Sequence, residues 1–170
     1  SQQVIENQKV SILLSKRSDF DKDVFANEIV REVYNTTGVY GVALFGLEPE
    51  YIPKVIHAIA KEGVKEFKQY IQIGKKYHIN STLPETYMSL REGLTHKKNV
   101  SPEVIADGAG FRSFITHPVV YRGITVGSLA VFLENKLETY SDLEVRRYDA
   151  ELRMACVSIS EEFYYSGNRK

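Results

Sequence analysis

The sequence predicts a mixed α/β (α+β) domain in which a central antiparallel β-sheet is flanked by N- and C-terminal helices. Three segments of the 170-residue chain lead to this prediction. An amphipathic helix is expected over about residues 19–35, a β-hairpin over residues 111–133, and a long capped helix from Ser141 onward. A chain of this length suits one domain with flanking helices and can bury a core of useful size.

The first helix is indicated by apolar residues that recur every three to five positions. Ser18 or Asp19 can cap its start, and Gly38 lies just beyond its end, where glycine commonly terminates helices. The apolar residues of the pattern are Phe20, Val24, Ile29, Val30 and Val33. Residues 1–17 are expected to be a leader or a connecting helix. The dense apolar run over residues 39–47 then predicts a largely buried strand.

The middle of the chain carries shorter signals. Pro53 suits the first turn of a helix, and apolar residues line one side of the turns after it, so we expect a helix over residues 53–63. The remaining expectations are strands over 67–73 and 77–79 separated by a turn at Gly74, a short helix over 84–92, an edge strand at 99–100 and a loop over 102–110.

The hairpin can be aligned residue by residue, because its turn fixes the register. If Arg122 and Gly123 form a two-residue turn, the expected pairs are Val119 with Val126, His117 with Ser128, and Ile115 with Ala130. The opposite face would carry Phe114, Thr116, Val120, Leu129, Val131 and Leu133. Both faces are apolar enough to be covered, which predicts helices on each side or a helix on one and a ligand cavity on the other.

The closing helix begins with a capping box formed by Ser141 and Glu144. Its apolar stripe comprises Tyr148, Leu152, Ala155, Cys156, Ile159 and Phe163. The helix spans about seven turns, more than a small sheet requires. We expect residues 18–166 to form the domain and residues 167–170 to be a tail.

These segments resemble the C-terminal half of a GAF domain. The resemblance is carried by Arg-Ser-Phe at 112–114, the strand that reaches Pro118, the turn with Gly123, Val-Gly-Ser-Leu at 126–129 and the long closing helix. It implies a GAF/PAS-like sheet, with helices from both termini against one face and a loop-and-helix cover over the other. It also implies a regulatory sensor that is not an enzyme, and terminal helices that pair with a second subunit and signal to an output domain or partner protein.

The family binds small molecules between the sheet and its cover, so the resemblance implies a ligand site there. The expected cavity lies over the Phe114, Thr116 and Leu129 face with Arg112 at its mouth, and its ligand is expected to be small and anionic or polar. The residues this site would draw on are Phe45, Tyr70, Tyr87, Phe111, Arg112, Phe114, Thr116 and Leu129. A rival pocket lies on the side of His117 and Ser128, although His117 alone is more typical of a hydrogen-bonded core histidine.

Composition excludes several classes of function. Twenty-two Lys and Arg balance twenty-two Asp and Glu, so the chain has no excess positive charge with which to hold nucleic acid. No run approaches the twenty or so apolar residues of a membrane span, and we expect a cytoplasmic protein. Four scattered histidines give no metal-ligand spacing, and no cofactor is indicated. The single Cys156 is expected to be a buried structural thiol.

Branches of the GAF family with known chemistry fit less well. Thiol-based reduction of methionine sulfoxide needs several cysteines, residues 107–110 offer no axial histidine for heme, and Cys156 lies outside the loops that would hold a bilin. A partial match to the cyclic-nucleotide-binding members runs from Asn135 and Lys136 through Tyr140 to Glu144. The alternatives to a ligand sensor are therefore a cyclic-nucleotide-binding domain or a ligand-free dimerisation domain whose cavity is filled by its own aromatic side chains.

Overall fold

The computed structural model describes residues 22–48, 52–62, 71–74, 76 and 110–168. Within these residues lie two α-helices, four β-strands and one short 3-10 helix. Their bounds are α1 (Lys22–Thr37), β1 (Gly41–Glu48), β2 (Ile52–Ala60), β3 (Ser113–Tyr121), β4 (Ile124–Leu133), the 3-10 helix (Leu137–Thr139) and α2 (Asp142–Asn168).

The four strands form one antiparallel sheet in the order β2-β1-β4-β3. Strand β1 is therefore central, which agrees with the dense apolar run that predicted it. The predicted α+β fold, an antiparallel sheet flanked by N- and C-terminal helices, is confirmed.

Helix α1 ends where the sequence indicates. Gly38 has φ +64°, a left-handed conformation that glycine adopts without steric cost, and its N–H donates to the carbonyl of Tyr34 at 2.9 Å. Of the apolar residues that predicted α1, Ile29, Val30 and Val33 are buried. Val24 is not: it is 47% exposed, and its neighbour Phe25 packs in the core instead. Phe20 lies outside the described residues. The expected caps Ser18 and Asp19 lie outside the described residues.

The predicted helix over residues 53–63 is wrong, because Ile52–Ala60 is strand β2, paired with β1. Three β-branched residues, Val55, Ile56 and Ile59, favour an extended chain. Their spacing fits the two-residue period of a strand as well as the 3.6-residue period of a helix. Pro53 is compatible with this strand because β2 is at the end of the described strand order, where a missing N–H costs least.

Residues 71–73 are not the end of a strand, as the sequence predicts, but form a bend that leads into a turn, whereas the turn predicted at Gly74 is confirmed. Gly74 occupies that turn with φ +89°, and its N–H donates to the carbonyl of Val55 at 2.7 Å. Lys76 forms an isolated bridge with Lys54. The other elements expected between residues 63 and 109 lie outside the described residues.

The hairpin turn is where the sequence predicts it, but the register changes within four residues of it. Arg122 and Gly123 form the turn with positive φ angles of 52° and 77°, as a type I′ turn requires. Tyr121 pairs with Ile124 and Val120 with Thr125, as the predicted turn demands, yet Val119 then pairs with Gly127. Val126 is thus an extra residue in β4, a β-bulge.

The bulge overturns the expected pairs and faces farther along the hairpin. Ile115 lies opposite Val131, His117 opposite Leu129, and Ser128 opposite Pro118. A shift of one residue moves every later side chain of β4 to the other face relative to β3. Leu129 is therefore not on the face of Phe114 and Thr116.

The sheet has two faces with different partners. We call the side packed against α1 and α2 the helix face; its sheet residues are Val42, Leu44, Ile115, Val119, Leu129, Val131 and Leu133. We call the other side the cover face; its buried apolar residues are Ala43, Phe45, Val55, Phe114, Ala130 and Phe132, joined by Tyr40, Ile71 and Phe111. Helices from both ends of the domain thus cover one face, as the sequence predicted.

Helix α2 opens with the predicted capping box. The N–H of Glu144 donates to Ser141 Oγ at 3.1 Å, and the N–H of Ser141 donates to Glu144 Oε1 at 3.3 Å. Its predicted apolar stripe is buried against α1 and the sheet from Tyr148 to Ile159. Among the described helices, none is long and apolar enough to cross a membrane.

Candidate functional site

The cover face contains a transverse row of small side chains. Ala43 of β1 lies opposite Ala58 of β2 and Ala130 of β4, and Ala130 in turn lies opposite Thr116 of β3. The row Ala58, Ala43, Ala130 and Thr116 therefore crosses all four described strands at one level. We call it the alanine row.

Bulkier residues lie on both sides of the alanine row. On one side Phe45 pairs with Val55 and Ser128, and on the other Phe132 pairs with Phe114. Phenyl rings rise farther from a sheet than methyl groups do, so the side chains of the alanine row stand lower than those beside them; we call the row and its flanking residues the trough. The trough is apolar apart from the hydroxyls of Thr116 and Ser128, a combination typical of small-molecule sites.

The face is closed near the start of β3 by aromatic packing. Phe111 packs edge-on against Phe132, with ring centroids 4.8 Å apart, and Phe114 lies 6.0 Å from the same ring. Gly110 has φ +84°, and a Cβ there would collide with the hydroxyl of Tyr40. Only glycine suits this position, where the chain enters β3 over the end of the sheet.

Arg112 lies at the edge of this aromatic group. Its N–H donates to the carbonyl of Leu133 at 2.8 Å, and its side chain is exposed. It precedes Phe114 by two residues, so the alternation of a strand directs both to the same side. An exposed guanidinium in this place could bind a carboxylate or phosphate through two parallel hydrogen bonds.

The structure brings together part of the predicted site. Phe45, Phe111, Phe114 and Thr116 are all buried on the cover face or against it, with Arg112 beside them. Tyr70 and Tyr87 lie outside the described residues. Whether these side chains contact a ligand stays a prediction.

Two of the predicted residues belong to the helix face. Leu129 is fully buried in the core under α1 and α2, and His117, its partner across the hairpin, is half-buried on the same side. The Nδ1 atom of His117 lies 2.9 Å from the carbonyl oxygen of Pro118. Because Ser128 lies on the cover face, the rival pocket between His117 and Ser128 is divided by the sheet.

The alanine row is not predicted by the sequence. Ala43, Ala58 and Ala130 come from three strands, and they align only in the observed register. Ala58 was placed in a helix, and the bulge at Val126 moved Ala130 to the other face. Alternation of small and aromatic residues in residues 43–45 and 130–132 is the one signal that could have indicated it.

The thiol of Cys156 lies away from the trough. It is buried on α2, and its Sγ donates to the carbonyl of His117 at 3.5 Å on the helix face. Burial raises the pKa of this thiol, an effect only partly offset by the nearby backbone N–H of Leu129. A protonated, buried thiol is a poor nucleophile.

The residues that partly match a cyclic-nucleotide motif hold the end of β4 against the start of α2. Ser113 Oγ donates to the carbonyl of Asn135 at 2.6 Å, and the N–H of Asn135 donates to the hydroxyl of Tyr140 at 3.2 Å. Glu144 belongs to the capping box. An open cleft of about 700 Å³ lies nearby, lined by Leu137, Glu138, Tyr140, Asp142, Val145 and Arg146.

The described residues contain no group of three or more His, Cys, Asp or Glu side chains placed to hold a metal ion.

No protein-family profile and no curated protein sequence matches the chain. Solved structures, in contrast, match the chain over most of its length. The GAF domain of phosphoenolpyruvate-protein phosphotransferase from Acinetobacter superimposes with a TM-score of 0.61 at 12% identity, over 99% of this chain and 96% of that one. The photoproduct state of GAF3 from Slr1393 of Synechocystis gives 0.60 at 15% identity, over 88% and 100%. The phycoerythrobilin-bound GAF domain of a cyanobacterial phytochrome gives 0.59 at 13% identity, over 94% and 97%.

At this identity the likeness establishes the fold. The antiparallel sheet with both described helices on one face agrees with it, as does the resemblance of residues 111–163. The chain therefore has the fold of a GAF domain.

Proposed function

We propose that the protein is a regulatory sensor domain that binds a small ligand on its cover face and transmits the binding through its terminal helices. The alanine row is the observation that carries this proposal. A face built only for packing would be filled evenly, whereas this one has a row of small side chains between Phe45 and Val55 on one side and Phe114 and Phe132 on the other. One of the similar structures is a GAF domain with phycoerythrobilin bound, which supports a ligand in a domain of this fold.

The ligand class follows from the side chains that surround the trough. The walls suit an apolar body, the hydroxyl of Thr116 can orient one polar group, and the exposed Arg112 attracts an anionic one. We therefore propose a small molecule with an apolar part and an anionic or polar end. A covalently attached bilin is not proposed, because the chain's one cysteine is buried on the helix face.

A thermal-shift screen of metabolites and nucleotides tests the ligand site. Any compound that raises the melting temperature is measured again with Arg112→Ala and Thr116→Val. Loss of a hydrogen bond to a charged group should weaken binding by about 1.5–3 kcal/mol. His117→Ala, on the helix face, is the control and should leave affinity unchanged. Binding lost in His117→Ala but kept in the other two would contradict the site.

We further propose that the protein acts as a homodimer through its terminal helices and is joined to an output domain or partner, such as one that regulates transcription. The 27 residues of α2 span about 40 Å, against about 30 Å for the nine residues of β3. Leu143 and Val157 are 74% and 52% exposed on α2. One similar structure is a domain of a phosphotransferase. We also propose a cytoplasmic location, because the free, buried thiol of Cys156 is typical of proteins in that reducing compartment.

Light scattering tests the dimer. The wild-type chain should have the mass of two copies, Val157→Asp should reduce it to one, and Val120→Asp on the hairpin should leave it unchanged. A monomeric wild-type chain would exclude the dimer.

A ligand-free dimerisation domain is the second candidate, and one observation favours it. Phe45, Phe111, Phe114 and Phe132 are at most 1% exposed and pack against one another or the sheet, so aromatic side chains already occupy much of the cover face. In that case no compound raises the melting temperature, and filling the alanine row with a larger side chain stabilises the fold.

A further inference from the structure

One backbone oxygen of β3 accepts hydrogen bonds from both sides of the sheet. Ser128 Oγ, on the cover face, donates to the carbonyl of His117 at 3.3 Å. Cys156 Sγ, on α2 over the helix face, donates to the same oxygen at 3.5 Å. The two donors belong to different layers of the domain, and the His117 oxygen is what they share.

Donors that share an acceptor oxygen compete for it. A carbonyl oxygen has two lone pairs, and His117 is also paired in register with Leu129 across the hairpin. A thiol is a weak donor, so its bond is the one most affected when another donor is added or removed. Removal of the Ser128 hydroxyl should therefore strengthen the bond from Cys156.

Strand β3 is also bonded to α2 one helical turn further along. The hydroxyl of Ser160 donates to the carbonyl of Val120. Cys156 and Ser160 are four residues apart, so both donors lie on the same side of α2. The helix is thus hydrogen-bonded directly to the backbone of the strand whose cover-face side chains include Thr116 and Phe114.

We propose that the His117 carbonyl couples the cover face to α2. An acceptor group of a ligand in the trough draws the Ser128 hydroxyl away from this oxygen, the Cys156 thiol bonds to it more strongly, and α2 is held more tightly on β3. The ligand step rests on the proposed function. The shared oxygen does not, and it is tested without a ligand.

Infrared spectroscopy of the thiol provides the test. The chain has one cysteine, so its S–H stretching band reports the Cys156 hydrogen bond alone. In the wild-type protein the band should lie below its position in the urea-unfolded chain, and in Ser128→Ala it should move lower still. Ser113→Ala is the matched control: this buried hydroxyl donates to Asn135 instead, and its loss should leave the band in place.

Three outcomes would overturn the proposal. The first is a wild-type band at the position of the unfolded chain, which needs no variant and so does not depend on Ser128→Ala folding. The second is an unchanged band in folded Ser128→Ala, and the third is an equal shift in Ser113→Ala. As a second measurement, urea unfolding of Ser128→Ala, Cys156→Ala and the double variant should be non-additive. A negative ligand screen would refute the proposed function and leave these results unaffected.

Discussion

The two faces of the sheet are equally buried but built differently. The helix face presents leucine and β-branched side chains, such as Leu129 and Val131, to the apolar stripes of α1 and α2. The cover face alternates phenyl rings with alanine and places two buried hydroxyls beside them. Even packing of similar side chains is typical of a structural core. A face on which large, small and polar side chains alternate is uneven, as small-molecule binding surfaces are. The exposed fraction of the side chains alone therefore does not distinguish a structural core from a binding surface.

The bulge at Val126 makes this difference possible. It places Leu129 and Val131 under the helices and Ser128 and Ala130 on the cover face. Without the extra residue, β4 beyond it would present the opposite set to each layer. The bulge is therefore a feature on which both faces depend.

Gly127→Val should have the largest effect on stability. A Cβ at Gly127 would lie 2.5 Å from the backbone oxygen of Phe45, which no side-chain rotation can relieve. We expect a loss of about 3 kcal/mol or more, the upper end for overpacking. Gly123→Ala is the control: it has φ +77° with no atom near its Cβ and should cost about 1 kcal/mol, the strain alone. Urea unfolding measures both, and equal costs would contradict the observed register.

A pair of substitutions compares the faces directly. Leu152→Ala removes a fully buried side chain of α2 that packs on the helix face and should cost about 3 kcal/mol. Thr116→Val keeps the shape of a cover-face side chain and should cost about 1 kcal/mol or less. If chemical denaturation gives Thr116→Val the larger loss, the cover face is the principal core and its interpretation as a binding surface fails.

Loss of the helix cap should have an intermediate effect. Ser141→Ala leaves the N–H of Glu144 without its side-chain acceptor and should cost about 1 kcal/mol. Ser141→Thr retains the hydroxyl and should remain close to wild type. Thermal unfolding followed by circular dichroism separates the two variants, and equal melting temperatures would show that the capping box does not stabilise α2.

The smallest effect concerns Glu151 between the helices. Burial, and then the charge of Glu32, raise its pKa, an effect that Arg147 partly opposes. A raised folded-state pKa means that the ionised form destabilises the fold above that pKa and that this penalty disappears below the unfolded value. Glu151→Gln should therefore stabilise the protein at pH 7 but have no such effect at pH 4. The gain should be about 0.5 kcal/mol or less, because solvent screens the charge of this partly exposed carboxyl group.

Glu138→Gln, on the exposed 3-10 helix, is the control for that comparison. It should change the urea midpoint at neither pH. A Glu151→Gln variant that is less stable than wild type at pH 7 would show that the carboxylate is favourably bonded in the fold.

Local signals in the sequence predicted the parts of the fold that local interactions determine. Gly38 ends α1, Arg122 and Gly123 turn the hairpin, and Ser141 caps α2, and each depends on neighbours within four residues. Strand β2 was mistaken for a helix because its apolar residues fit both periods and only pairing with β1 decides between them.

The candidate site was less predictable because it depends on register. The sequence indicated the cover-face residues Phe45, Phe114 and Thr116 correctly as neighbours of one face, but a bulge with no glycine at its extra residue, Val126, gave no signal of the shift. Leu129 was misplaced for that reason. The alanine row arises only when four strands are aligned, so no single segment contains it.

Native mass spectrometry of the protein as purified tests the central claim most directly. The claim predicts a small bound molecule in the wild-type chain or after addition of a compound found by thermal shift. That added mass should be lost in Ala58→Leu, which narrows the trough, and kept in Ile59→Leu, the neighbouring residue on the helix face. Loss of the ligand in Ile59→Leu with retention in Ala58→Leu, or a wild-type chain that binds nothing under either condition, would contradict a binding site on the cover face.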